Sequence, residues 1–428
     1  MKKHIILGTS ALAAVMTATA AQADEGFTLK PSLNARLRYE MVDQPATDAD
    51  AVTLRLRPGI TASKGPFSVL VEAEGTLAIV EDYNSTTNGK AGLYSVVADP
   101  ENIELNRAQI QYKSEAVTAT LGRQRINIDD QRFVGSVGWR QNEQTFDAIT
   151  GEAKLGPIML NGTYSWSQRM IFGIDSGPRQ AFTGDYLFLG AGGALGPVKV
   201  KAFSYLLDYD PKEPSALTST QTYGVRATAD FKLGGKASLG LAASYATQSD
   251  YKANPGDYSA DYIAAEATLG YANFWLKGGY ELLGSDNGVA FQTPMATLHK
   301  FNGWADVFLN TPAAGLEDWY LGVGAKFPGV KALPGLKAAV FYHDFSSDVG
   351  GADYGSEWDA MLGFKIGKKL GLTAKYANYN SDGFAVDTEK FWLTTACDQP
   401  LEATGKDYDR HSPPIGCYRQ WHGRLPCC

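Results

Sequence analysis

The sequence predicts an all-β fold: a transmembrane antiparallel β-barrel of eighteen strands, with sixteen as the lower count. Its turns would be short and periplasmic, and its loops long and extracellular. Three observations predict this. Apolar side chains recur at every second residue along most of the chain. Short turns of Gly, Pro, Lys and Asn alternate with longer polar stretches. After the N-terminus no run of about 18 apolar residues occurs, so helices do not cross a bilayer.

The elements follow in order. Met1-Lys2-Lys3 is a basic start, Ile5 to Ala20 is apolar and Ala-rich, and Ala21-Gln22-Ala23 is a cleavage signature, so residues 1–23 read as a secretory signal peptide. The barrel is expected over 24–396 as one domain. In residues 27–40, Phe27, Leu29, Leu33, Ala35, Leu37 and Tyr39 share one parity, and Lys30, Asn34, Arg36, Arg38 and Glu40 share the other. Successive strand side chains point to opposite faces, so one face is apolar and one charged. Residues 52–60, 158–169 and 222–232 repeat the pattern. Eight short turns and nine longer stretches, the third at about 124–146, then separate eighteen strands. A bilayer core satisfies no backbone polar group, so such strands must close into an edge-free cylinder. The apolar parity meets lipid, the polar parity lines a lumen, and Tyr39, Trp166, Trp319 and Trp358 fall in the interfacial girdles.

Composition narrows the function. The 428 residues hold 39 Lys+Arg against 46 Asp+Glu and are 44% apolar, which excludes a disordered chain and gives no basic surplus for nucleic acid. The four cysteines, Cys397, Cys417, Cys427 and Cys428, all lie late, so disulfides do not build the barrel. Residues 397–428 lose the alternation and read as an atypical Cys-rich tail, disordered and arising from an altered reading frame. That tail lacks ordinary zinc spacing, so no metal and no cofactor is expected.

The inward parity is net basic in an acidic chain. It carries Arg36, Arg38, Arg55, Arg57, Arg107, Arg169 and Arg226. Confined basic side chains favour anions, and arginine offers a fork matched to carboxylate. Arg36/Arg38 and Arg55/Arg57 fall opposite one another across the first hairpin, with no nearby carboxylate on the second strand, so they are the better candidates for substrate contact. The third long stretch holds Arg123, Arg125, Arg132 and Arg140 together with Phe133 and Trp139. So aromatic a segment is poorly suited to water, and it is expected to fold inward and narrow the pore. Arg123 has the lipid-facing parity, so the strand must end or bulge there.

The chain resembles the alginate export family of Gram-negative outer-membrane channels. The resemblance rests on RLRYE at 36–40, TLRLRPG at 53–59, YNSTTNG at 83–89, ELNRAQIQY at 104–112, the block GRQRI…DDQRFVGSVGWRQNEQTFDA at 122–148, HKFNGWADVFL at 299–309 and YHDF…DYGSEWD at 342–359. It covers about residues 24–395. It implies an eighteen-stranded barrel with an arginine-rich constriction that passes an anionic uronate polysaccharide. It also implies that Arg107, Arg123, Arg125 and Arg140 set selectivity.

The expected function is an outer-membrane channel for facilitated diffusion or export of anionic saccharides such as alginate-like polyuronates. The alternative is a porin selective for other small solutes. An outer-membrane barrel enzyme is the weaker reading: His299 and His343 are the only mature histidines before the tail, and no Gly-x-Ser-x-Gly elbow occurs. No catalytic residue is therefore expected. The expected partners are an anionic oligo- or polysaccharide, outer-membrane lipid and the barrel-assembly machinery. No nucleic acid is expected, and a monomer is favoured.

Overall fold

The computed structural model describes residues 26–214, 218–367 and 369–400, with the backbone alone at 398–400. The expected signal peptide lies outside these residues, as does the expected tail beyond Pro400. The strands are β1 (Thr28–Asp43), β2 (Asp48–Lys64), β3 (Phe67–Asp82), β4 (Asn102–Lys113), β5 (Val117–Gln124) and β6 (Thr145–Leu155). Next come β7 (Ile158–Arg169), β8 (Ala181–Leu195), β9 (Val198–Tyr209), β10 (Thr220–Gly234), β11 (Ala237–Asp250) and β12 (Ser259–Tyr271). The last are β13 (Phe274–Leu283), β14 (Leu316–Lys326), β15 (Lys337–Ser346), β16 (Asp353–Ile366), β17 (Leu370–Asn380) and β18 (Thr388–Pro400).

Each strand pairs antiparallel with its sequence neighbours, and β18 pairs with β1, so a single eighteen-stranded sheet closes. Closure leaves no unpaired edge, which is what a bilayer requires. The pleat then sorts the side chains. On β14, Trp319, Leu321 and Val323 are exposed on the outer face, while Asp318 and Gly322 are buried. Tyr280 packs on Trp319, Tyr342 on Trp358 and Tyr164 on Trp166, as the interfacial girdle demands.

Two boundaries differ from the expectation. The first long stretch shrinks to 44–47, because β1 runs on to Asp43 and β2 starts at Asp48. The last strand reaches Pro400, four residues past 396. Its backbone pairs with Ser32 to Asp43 on β1, so the changed text still completes the ladder that closes the barrel. Cys397 is a free, half-buried thiol within it.

Two loops turn into the barrel. The segment 125–144 follows β5, and the segment 284–315 follows β13. They touch each other where Val134 bridges Met295 and where the Gly135 amide donates to the Met295 carbonyl at 2.8 Å. Phe133 sits among Phe203, Tyr205, Tyr262 and Phe291, ring centroids 5.2–5.9 Å apart. Those partners come from β9, β12 and the second loop. The hydrophobic core is thus inside the barrel and made of loop against wall, while the apolar strand positions outside are left for lipid.

Candidate functional site

The inward loops build the site. Segment 125–144 crosses the lumen and is bonded to the wall at several levels. Its Asp129 and Asp130 pair with Lys201 on β9 and Arg226 on β10. Arg132 donates to Glu281 on β13 at 2.7 Å, with Thr293 and Asn302 taking its other nitrogens. At the far side, Gln141 donates to Thr53 and Asn142 accepts from Thr76. The loop therefore narrows the lumen by spanning it, as its aromatic content predicted.

Trp139 marks the centre of the span. The His299 ring stacks on it at 4.1 Å with planes 6° apart, and the Arg38 guanidinium lies 4.1 Å from its centroid. His299 Nε2 stands 2.7 Å from Lys375 Nζ, and Nδ1 stands 2.8 Å from Asp306. A lysine can only donate, so Nε2 accepts and the proton sits on Nδ1, facing Asp306. Burial, with the Lys375 ammonium next, pushes the imidazole down to about 3, so it is neutral. Asp306 also accepts from Arg140, which reaches Glu40 at 3.1 Å. One buried carboxylate thus ties both loops together and to β1.

The eleven arginines singled out from the sequence divide sharply. Arg57 pairs with Glu74 and Glu143, Arg107 with Glu72, Arg125 with Glu143 and Glu72, and Arg169 with Glu104. Arg132, Arg140 and Arg226 are paired as described above. Arg38 stands 3.6 Å from Asp99 and donates to Thr394. The hairpin's second strand supplies no partner, yet Arg38 and Arg57 are paired by acids from elsewhere, so they are not the free substrate contacts expected. Asp99, Glu74 and Glu143 come from the 83–101 loop, β3 and the inward loop, none of which pairing β1 with β2 could reveal.

Arg123 is a second correction. β5 neither ends nor reverses before it: Arg123 registers with Ala108 and Asp147, on the parity of exposed Leu121, and forks onto Asp147 at 2.8 and 3.0 Å. The irregularity falls one residue earlier. Gly122 has φ +115°, and a Cβ there would run into the Ala108 carbonyl. Arg123 is thus off the lumen.

Arg36 and Arg55 are left, directly opposite each other in register. Among the described residues neither has a carboxylate partner. Arg36 gives its guanidinium to three loop carbonyls, Gly138 at 2.9 Å, Trp139 at 2.8 Å and Arg140 at 3.1 Å. Arg55 is 1% exposed and bonds Asn34 through Nη2, while its buried Nε and Nη1 have no hydrogen-bond partner. Like charges placed opposite each other on a sheet repel, and buried unsatisfied donors are costly. Arg55 thus keeps two hydrogen-bond donors that the described residues do not use.

Sequence reasoning placed Glu40 on the inward face but missed the rest of this acidic machinery (Asp99, Glu143 and Asp306) and the inward course of 284–315. The second was findable: HKFNGWADVFL is as aromatic as the loop that was expected to fold inward.

Comparison with known proteins agrees with the barrel. The alginate export family matches residues 23–279, more than half of the chain. No curated protein matches it. Among solved structures, Pseudomonas aeruginosa OpdK with vanillate aligns at TM-score 0.66 and 15% identity, over 87% of this chain and 98% of that one. P. aeruginosa OpdO aligns at 0.67 and 17%, and P. aeruginosa OccK9 (OpdG) at 0.67 and 17%, each over 87% of this chain and 98% of the other. At such identity they share its fold. The chain belongs to the alginate export family, and its closed barrel with an apolar outer face belongs in the outer membrane of a Gram-negative bacterium.

Proposed function

We propose that this member of the alginate export family is a channel for facilitated diffusion or export of anionic saccharides such as polyuronates. The observation that carries the reading is the facing pair Arg36 and Arg55, which has no carboxylate between its guanidiniums and keeps two buried donors of Arg55 unused. Paired arginines stiffen a wall, whereas an arginine without an acid attracts one from the solute. A uronate carboxylate reaching Arg55 exchanges water for charge-assisted hydrogen bonds. Arg36 can join only by releasing loop carbonyls, so binding stays weak enough for the chain to move on. The reading is of a conduit, with no bond made or broken in the solute.

OpdK was solved with vanillate, a small carboxylate, and small organic acids are the second reading for the same pair. The test is the reversal potential of the purified protein in a planar bilayer under a KCl gradient, with oligo-uronates or vanillate added. Anion selectivity with block by oligo-uronates, both weakened about tenfold in Arg55→Gln, is the expected result. Block by vanillate alone would assign the small-acid reading. Cation selectivity would overturn both.

A further inference from the structure

Six lysines gather at the turn-side mouth of the barrel, and their parity says which way they face. Lys30, Lys113, Lys199, Lys232, Lys326 and Lys365 are all exposed and lie at the turn-side ends of six different strands. Each has the inward parity. Lys30 continues the series of Arg36 and Arg38, and Lys113 registers with Thr118. Lys199 and Lys232 are in step with inward Lys201 and Arg226, Lys326 with Gly322, and Lys365 with Asp359. Lysines that serve lipid headgroups would have the other parity, so these six ring the mouth of the lumen. Deeper in the wall, lysines are paired, Lys201 with Asp129 and Lys277 with Glu266. Among the described residues none of the six makes an ion pair. At the loop end Glu317, Asp344, Asp348 and Asp353 line one hollow, with Glu317 and Asp344 on the outward parity of Trp319 and Tyr342 and not around the lumen.

We infer that this lysine ring is a capture collar for a flexible polyanion arriving from the periplasm. The inference rests on the proposed anion channel and adds where the chain is first held and from which side. A ring of like charge around a low-dielectric opening focuses field and raises the encounter rate of an opposite charge, by about 10–1,000-fold in steered systems. Six flexible ammonium groups suit a polymer because each contact is a weak point charge with no fixed geometry. The collar gathers the chain end and delivers carboxylates one at a time toward Arg55. The collar stands at the turn-side mouth, so capture is faster from that side.

The experiment records single-channel block by a decamer of polygalacturonate added to one side at a time. Channel orientation in each bilayer is fixed by an affinity tag in the 381–387 loop. In the wild type, periplasmic addition should give about tenfold more block events than extracellular addition, and raising KCl from 0.1 to 1 M should erase most of the excess. Substituting all six lysines by Gln should lower the periplasmic event rate at least tenfold while leaving the duration of each block unchanged. Substituting all six by Arg should keep the wild-type rate, which separates lost charge from a damaged barrel. Equal rates from both sides, or a normal periplasmic rate in the Gln variant, would overturn the collar and leave the anion channel standing. Absence of block from either side would overturn the channel reading itself.

Discussion

The two halves of the lumen are built from the same strands and end up with different physics. In the loop-side half, inward side chains are buried: Glu40, Arg38, Arg55, Glu357, Asp359 and Trp392 are all 1% exposed or less. In the turn-side half, inward Thr61, Thr118, Glu152, Asp230 and Lys232 are half-buried or exposed. The strands do not cause this difference. The loops do, by bringing Glu143, Asp306, His299 and Trp139 into one half only. Burial there makes most charges depend on a partner, because an unpaired buried ion is costly, and Arg36 and Arg55 are the exceptions. Charges in the open half are screened by water and do not need such close pairing.

The largest effect should come from breaking the paired half at its hub. Arg140→Gln leaves Glu40, Asp99 and Asp306 without the guanidinium that reaches all three. Removing one partner from such a buried set costs about 3–5 kcal/mol. The loss falls on docking of the inward loop, since the barrel's hydrogen bonds do not involve it. The expected outcome is a larger, noisier single-channel conductance with the barrel still heat-modifiable on a gel. A quiet conductance of wild-type size would show that the loop is held without this hub.

A smaller effect separates the halves by pH. His299 docks as a neutral ring between Lys375 and Asp306, with Arg140 behind Asp306 and the Trp139 and Trp392 rings against it. Its value is depressed to about 3 when docked, against about 6.5 for a solvated histidine. A depressed value means protonation favours the undocked loop. Docking is therefore undiminished above pH about 6.5 and weakens as pH falls toward 3, by up to about 1.4 kcal/mol per unit. Asp306 is also depressed, and its pairing is lost only at still lower pH. Open-state noise should rise on acidification from pH 7 to 4 in the wild type and stay nearly flat in His299→Gln.

The sequence made the faces legible and the partners illegible. Period two showed which side of β1, β7 and β10 meets lipid, because that alternation is imposed by the pleat and needs no knowledge of neighbours. The turns fell where Gly, Pro and Asn demanded them, so the strand count followed. The inward course of 125–144 was readable from Trp139 and Phe133, which a loop in water would not expose. Ion pairing was not readable, since Arg57 meets Glu143 from 86 positions away and Arg132 meets Glu281 across the lumen. An arginine on the inward parity could thus be a substrate contact or a wall tie, and only three-dimensional closure separates Arg55 from Arg57, two residues apart.

Arg123 sharpens the comparison by belonging to neither half. The family resemblance places it among the selectivity residues, and the strand places it outside. Its fork onto Asp147 holds β5 to β6 at a partly exposed position, and its Nη1 donates to the Leu105 carbonyl at 3.0 Å on the neighbouring strand. A pair of this exposure contributes about 1 kcal/mol or less. Arg123→Gln should therefore leave the reversal potential within a few millivolts of wild type, while Arg55→Gln moves it strongly. The unfolding temperature of the barrel in detergent should drop slightly. A selectivity change as large as that of Arg55→Gln would mean that Arg123 reaches the ion path. The parity argument would then fail at Gly122, the one residue of β5 with a left-handed backbone.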